Sequence, residues 1–368
     1  MRISLLFGLL AGLSWAADLN AWDFDNTCTG QQAALQKAYD DAALLAAKAL
    51  QDLQTIQSPR PRYTRANIPR IQEWDRVARA VTNMFGFVPD PAGHSPTETH
   101  LSNVLYVYNR MNQALQSSQN VPAGGYSGLH QKSMIMCGDS VWRWVGRNDA
   151  DPYDPAGRPL SVSRATQIGA NAGAWAYQER YMANGNPNSV GLCRPGIYAV
   201  TMTRYDFIVF CDASFAAQIA GTQSAIDGKN GAAVGDRVDT YGQFSLSRIM
   251  IHELAHWYGG AGTGTINERR VTDQQAVGNR GDLVWFDTAA NRYVNQNPTG
   301  TLPRALTYFY TFCSRLARTN TGANAANSGP ARATFTAEAY AYFAIMAYMD
   351  NFDWADDGRA KAIPVIAP

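Results

Sequence analysis

The stretch Ile251-His252-Glu253-Leu254-Ala255-His256-Trp257 decides how the rest of this sequence is read. Two histidines one helical turn apart share a face, so both imidazoles can reach one zinc ion. Glu253 lies one residue further round. It does not bind the metal with that pair and is placed instead as general base toward a water that the metal activates. The flanks suit a helix. Ser245 or Ser247 can cap its start, Leu246, Ile249, Met250 and Leu254 supply apolar faces, and Gly259-Gly260 ends the run. The plainer reading, two surface histidines on a helix, leaves unexplained why two of the five histidines of the chain fall here.

A catalytic zinc keeps one open position and takes three protein ligands. A third histidine in the pattern H-E-x-x-H-x-x-G-x-x-H would fall at Gly262, and no histidine follows His256. The downstream glutamates are Glu268 and Glu338, and the first downstream aspartate is Asp273. The third ligand is therefore expected to be a carboxylate, with Asp273 and Glu268 as the leading choices. His94, His100 and His130 have no partner at ligand spacing and read as ordinary polar histidines.

At this point the sequence resembles a family. H-E-x-x-H followed by a G-T-x-D-x-x-Y-G segment marks the aspzincins, the deuterolysin-like zinc metalloendopeptidases of secreted fungal proteins. Tyr205-Asp206-Phe207-Ile208-Val209-Phe210-Cys211 resembles their strand before the active-site helix. Ala337-Glu338-Ala339-Tyr340-Ala341-Tyr342-Phe343-Ala344 resembles their late helix behind the site. The resemblance implies zinc held by His252, His256 and Asp273, with Glu253 catalytic. It departs from the family pattern in two places. Arg270-Val271 stands where the family has Gly-Thr, and the family tyrosine, implied to stabilise the oxyanion, falls on Ala276. Gly264-Thr265-Ile266-Asn267 also looks like G-T-x-D, but a neutral amide oxygen is a poor zinc ligand beside a carboxylate, which favours Asp273. Tyr258, Tyr340 and Tyr342 are the candidates for the missing oxyanion donor, although each also suits a packing role.

The rest of the chain sets the context. Its 368 residues are 46% hydrophobic and 17% charged, enough apolar material for a large core. Lys+Arg number 31 against 30 Asp+Glu, so no global field pulls toward nucleic acid or anionic lipid. Arg2, the apolar Ile3 to Leu13 and the small residues of Ser14-Trp15-Ala16 read as a signal peptide over residues 1–16, too short to anchor in a bilayer. The five cysteines form no C-x-x-C pair; two disulfides and one free thiol are expected, with Cys193 and Cys211 as a pair.

Periodicity predicts helices over Gln31–Ile56, Pro69–Met84 and Thr97–Leu115, and two late helices over Leu302–Leu316 and Thr336–Met349. Candidate strands are Ser133–Cys137, Ile197–Met202 and Phe207–Cys211, with Asp139 to Asn188 read as a long polar stretch. The organisation expected is a signal over 1–16, a helical region over 17–120 that is either a propeptide or part of the body, and a catalytic domain over 121–368. The fold class is α+β, zincin-like, with a small sheet packed on the active-site helix and additional N- and C-terminal helices. The activity expected is that of a secreted, monomeric, zinc-dependent metalloendopeptidase with one zinc per chain. It would act on protein or peptide substrates and have no nucleic acid or membrane partner. A catalytically inactive zincin-fold binding protein is the alternative.

Overall fold

The computed structural model describes residues 22–93, 99–116, 132–260, 271–319 and 322–366. The expected signal, His94, His130 and Glu268 lie outside the described residues. Within them the chain is mixed α+β.

Three helices open the chain: α1 (Gln32–Gln57), α2 (Ile68–Phe85) and α3 (Thr99–Gln116). All three lie within two residues of the bounds predicted from periodicity. Glycine ends α2 because Gly86 takes a left-handed φ of 77°, and an added Cβ there would meet the Ala317 carbonyl oxygen. The helix that carries the two histidines, Leu246–Gly259, is the centre of the molecule. Ser245 stands at its N-cap but makes no side-chain cap bond, and the Ser247 hydroxyl donates to Asp41 of α1 at 2.6 Å.

One apolar cluster joins α1, α2 and α3 to this central helix and to the late helix Ala337–Tyr348. Trp22 packs on Trp257 at 5.0 Å between ring centroids, and the Tyr108 hydroxyl donates to the Tyr340 carbonyl at 2.5 Å. The late helix is buried from Ala337 to Ala347, which explains why its sequence is apolar all round and lacks a polar stripe. No described helix is long and apolar enough to cross a membrane.

The main sheet has four strands in the order β1-β2-β7-β6: β1 (Asp23–Phe24), β2 (Met134–Cys137), β6 (Ala199–Met202) and β7 (Phe207–Phe210). β1, β2 and β7 run parallel, and β6 pairs antiparallel with β7 as an edge. β7 is buried on both faces, which is why it reads as the continuous apolar run Phe-Ile-Val-Phe. Cys193–Cys211 ties the approach to β6 to the end of β7, as the sequence suggested, and Cys28–Cys137 ties the segment before α1 to the end of β2. Cys313 is a buried free thiol.

Two expectations are corrected. The polar stretch after Asp139 holds a second, antiparallel sheet, β3 (Arg143–Gly146), β4 (Gly173–Tyr177) and β5 (Arg180–Asn184). Its strands are short and their inward residues few, so alternation hardly rises above the loops between them. The late helix expected from Leu302 spans only Tyr310–Arg318. Arg304 and Leu306 bridge instead to Trp285 and Gln275, so extended pairing overrides the helical pattern. The last strands, β8 (Trp285–Asp287) and β9 (Arg292–Val294), form a hairpin beside that segment.

Candidate metal centre

His252 and His256 project from one face of the central helix, as their spacing requires. Asp273 is brought to them by backbone pairing. Thr272 donates its N–H to the Phe335 carbonyl at 2.9 Å, and Thr307 donates to the Gln274 carbonyl at 3.0 Å. Asp273 thus sits on a segment clamped between the start of the late helix and the strand-like run before Tyr308.

The donor atoms converge. His252 Nε2 and His256 Nε2 are 3.1 Å apart, and Asp273 Oδ1 lies 3.2 Å from the first and 3.4 Å from the second. Ligands about 2.0–2.1 Å from a tetrahedral ion stand about 3.3 Å from one another. The three separations therefore match three edges of one coordination tetrahedron. Each imidazole also has an outer partner. His252 Nδ1 is 2.8 Å from Glu338 Oε2, and His256 Nδ1 is 2.9 Å from the Val271 carbonyl. With a proton on each Nδ1, both outer bonds are made and both Nε2 lone pairs face inward. Inward lone pairs beside a carboxylate are a site that a cation completes. Among the described residues, these three form a group that could hold a metal ion.

Without a metal ion, the carboxylates around the site favour protonated imidazoles, a positive charge where the cation would stand. Burial alone would lower the His252 pKa, but the Asp273 and Glu338 carboxylates outweigh it and raise it to about 10. Burial opposes ionisation of Asp273, yet the two imidazoles hold its carboxyl well below the usual range.

Two residues beyond those chosen from the sequence belong to the site. Glu338 is fully buried on the late helix and shares Oε2 between His252 and Arg248, whose Nη1 lies 3.1 Å away. The sequence singled out Glu338 only as a downstream glutamate; the structure sets it behind His252, on the side away from Asp273. Tyr308 donates its hydroxyl proton to Asp273 Oδ2 at 3.1 Å, with its ring 5.9 Å from that of His252. Burial, then the Asp273 charge, drive its pKa far above that of a free phenol, so it keeps its proton. No spacing ties Tyr308 to the histidines, and only the Tyr-Phe-Tyr run around it marks the segment.

The tyrosines chosen from the sequence do other work. Tyr258 is buried, Tyr340 donates to the Thr334 carbonyl and Tyr342 donates to Asp239. Ala276 is buried in a small cluster with Val284, Ala305 and Phe312.

Glu253 lines the same cleft beside the three donors. Its Oε2 accepts a 2.7 Å bond from the Thr201 hydroxyl on edge strand β6, so the sheet fixes the direction of the carboxylate. Comparison of the chain with family models, curated proteins and solved structures finds no match. The chemistry of the site must therefore be argued from its own residues. A carboxylate, a protonated phenol and three converging donors around one cleft can bind a cation, accept a proton and donate a hydrogen bond.

Proposed function

We propose that this chain is a secreted zinc-dependent endopeptidase with a zincin-like fold, similar to the deuterolysin-like aspzincins. The observation that carries the reading is the convergence of His252, His256 and Asp273 at tetrahedral spacing with Glu253 beside them. Two neutral imidazoles and one carboxylate suit zinc and leave a position open. A zinc ion held there would polarise a peptide carbonyl and ease deprotonation of water.

The protein groups then divide the work. Glu253, oriented by Thr201, takes the proton of the attacking water and returns it to the departing amine. Tyr308 keeps its proton and, by turning its hydroxyl from Asp273 Oδ2, can donate it in a hydrogen bond to the carbonyl oxygen as negative charge develops there. It thus supplies, from another part of the chain, the donor that Ala276 cannot. β6 is an edge strand of the four-stranded sheet, so an extended peptide could add beside it as a further strand. Two disulfides are compatible with an oxidising compartment and so with secretion.

The test is metal content with hydrolysis. Purified protein should hold one zinc per chain and cut casein, and Glu253→Gln should keep the zinc while losing at least the ~10²-fold typical of general-base removal. A metal-free preparation that is fully active overturns the proposal. So does a zinc-loaded wild type that cuts no peptide.

A further inference from the structure

The cleft at the metal centre shares Gln243, Phe244 and Phe309 with a second cavity, of about 460 Å³, so the two adjoin. Two arginines, Arg237 and Arg315, line this second cavity. Arg315 sits on the helix Tyr310–Arg318 one turn after Thr311, which puts both residues on one face. Arg237 comes from a segment pinned to the C-terminal run. There the Gly235 N–H donates to the Ala360 carbonyl at 2.9 Å and the Val238 N–H to the Gly358 carbonyl at 2.8 Å.

The carboxylate in these walls, Asp239, is turned toward the protein. It accepts from the Tyr342 hydroxyl at 2.6 Å, the Tyr310 N–H at 3.2 Å and Arg237 Nη2 at 3.3 Å. Its side chain is 13% exposed against 52% for Arg237, so the arginine bridges that carboxylate and the solvent. Arg315 is less committed. Its guanidinium carbon lies 5.8 Å from the centre of the Phe312 ring, and among the described residues no carboxylate comes within ion-pair distance of it. Two guanidiniums against one carboxylate leave the cavity net positive, and Thr240 and Thr311 add neutral hydroxyl donors. A carboxylate fits such walls, because its two oxygens match the fork of a guanidinium.

We infer that this cavity is a subsite for a carboxylate of the substrate, held by Arg315 together with Arg237. The inference rests on the peptidase reading, which supplies a chain running from the metal centre past Phe244 and Phe309. An extended chain advances about 3.3 Å per residue. The residue next to the cut therefore occupies the first cleft, and one further along reaches the arginines. The carboxylate is that of an aspartate or glutamate side chain, or the C-terminus of the peptide.

Zinc-loaded wild type is given peptides that differ only in carrying Glu or Gln at one position. That position is moved stepwise along both sides of the cut, and each peptide is made with a free and with an amidated C-terminus. At one position Glu should be favoured over Gln by about tenfold in kcat/KM at low salt, as for a charge-assisted hydrogen bond. The preference should shrink as salt rises, because the arginines are partly exposed. A preference that survives amidation assigns a side chain to the subsite. One conferred only by the free C-terminus assigns the chain end. Both uphold the subsite. Arg315→Gln should bring the ratio close to one and Arg315→Glu should invert it, at unchanged zinc content. A second arm needs no turnover. Calorimetry on zinc-loaded Glu253→Gln should find the favoured peptide bound about tenfold more tightly than its neutral counterpart, with the difference lost when Arg315→Gln is added. Cleavage with no preference for a carboxylate, or with one that Arg315→Gln leaves intact, overturns the subsite and leaves the peptidase reading standing. Carboxylate-selective binding that depends on Arg315, without any cleavage by the wild type, upholds the subsite and overturns the peptidase reading. Equal binding of the charged and neutral peptides overturns the inference.

Discussion

Glu338 Oε2 stands 2.8 Å from His252 Nδ1 and 3.1 Å from Arg248 Nη1, so one buried carboxylate orients an imidazole and neutralises a guanidinium. The arrangement fixes the ring so that Nε2 faces Asp273, and it makes His252 a better donor than a free imidazole.

Glu338 is a positioning residue and is expected to act through the metal. Glu338→Gln should weaken zinc binding by about 10- to 100-fold, measured by competition with a chromophoric chelator. Glu338→Ala should also lower the melting temperature strongly, because an unpaired buried guanidinium costs about 3–5 kcal/mol. Unchanged zinc affinity in the glutamine variant would reduce Glu338 to a partner of Arg248 alone.

Tyr308→Phe should leave zinc content unchanged and lower kcat by about 10²- to 10³-fold, the range found for loss of one oxyanion donor. Tyr342→Phe is the control. Its hydroxyl is 2.6 Å from Asp239, away from the donors, so it should lose stability with little loss of rate. Equal rates for Tyr308→Phe and wild type would remove Tyr308 from the mechanism.

Asp273 is expected to be a ligand and Glu253 is not. Asp273→Ala, His252→Ala and His256→Ala should each lose zinc and activity together, since two remaining ligands hold the ion poorly. Glu253→Gln should lose activity alone. Elemental analysis of the four variants separates the roles, and retention of zinc by Asp273→Ala would show that another group completes the site.

Asp151 predicts a pH effect distant from the metal centre. Burial works against its ionisation, but bonds from the Tyr181 hydroxyl and the Tyr153 N–H, with Arg164 nearby, lower its pKa overall. A carboxylate with a depressed folded pKa stabilises the fold above its unfolded pKa of about 3.9, and that contribution is lost as pH falls through the folded value. Thermal unfolding should therefore show Asp151→Asn less stable than wild type at neutral pH, with the gap closing in acid. A gap that stays constant down to pH ~2 would show that Asp151 acts only through packing.

The helix around His252 and His256 was legible because ligand spacing, apolar flanks and a glycine stop are all local features of one turn or two. The same holds for α1, α2 and α3, whose apolar positions repeat at the helical period over many residues, and for the apolar run of β7. Counting the carboxylates that follow the histidines left Asp273 and Glu268 as the choices, with the family resemblance favouring Asp273, and the cysteine spacing suggested the Cys193–Cys211 pair that the fold forms. It missed the β3-β4-β5 sheet, where strands of four or five residues are too short for alternation to stand out. It named Tyr258, Tyr340 and Tyr342 as candidate donors, counted Glu338 only among the downstream glutamates, and did not reach the placements of Tyr308, Thr201 or the Glu338 carboxylate. Each of those roles is a hydrogen bond between elements far apart in the chain: Thr201 to Glu253, Glu338 to His252 and Tyr308 to Asp273. Local pattern determines which residues can form a helix and which can bind a metal. Which carboxylate stands behind an imidazole, and which phenol stands over the cleft, is decided by how the helices and edge strand pack, and only the tertiary structure shows it.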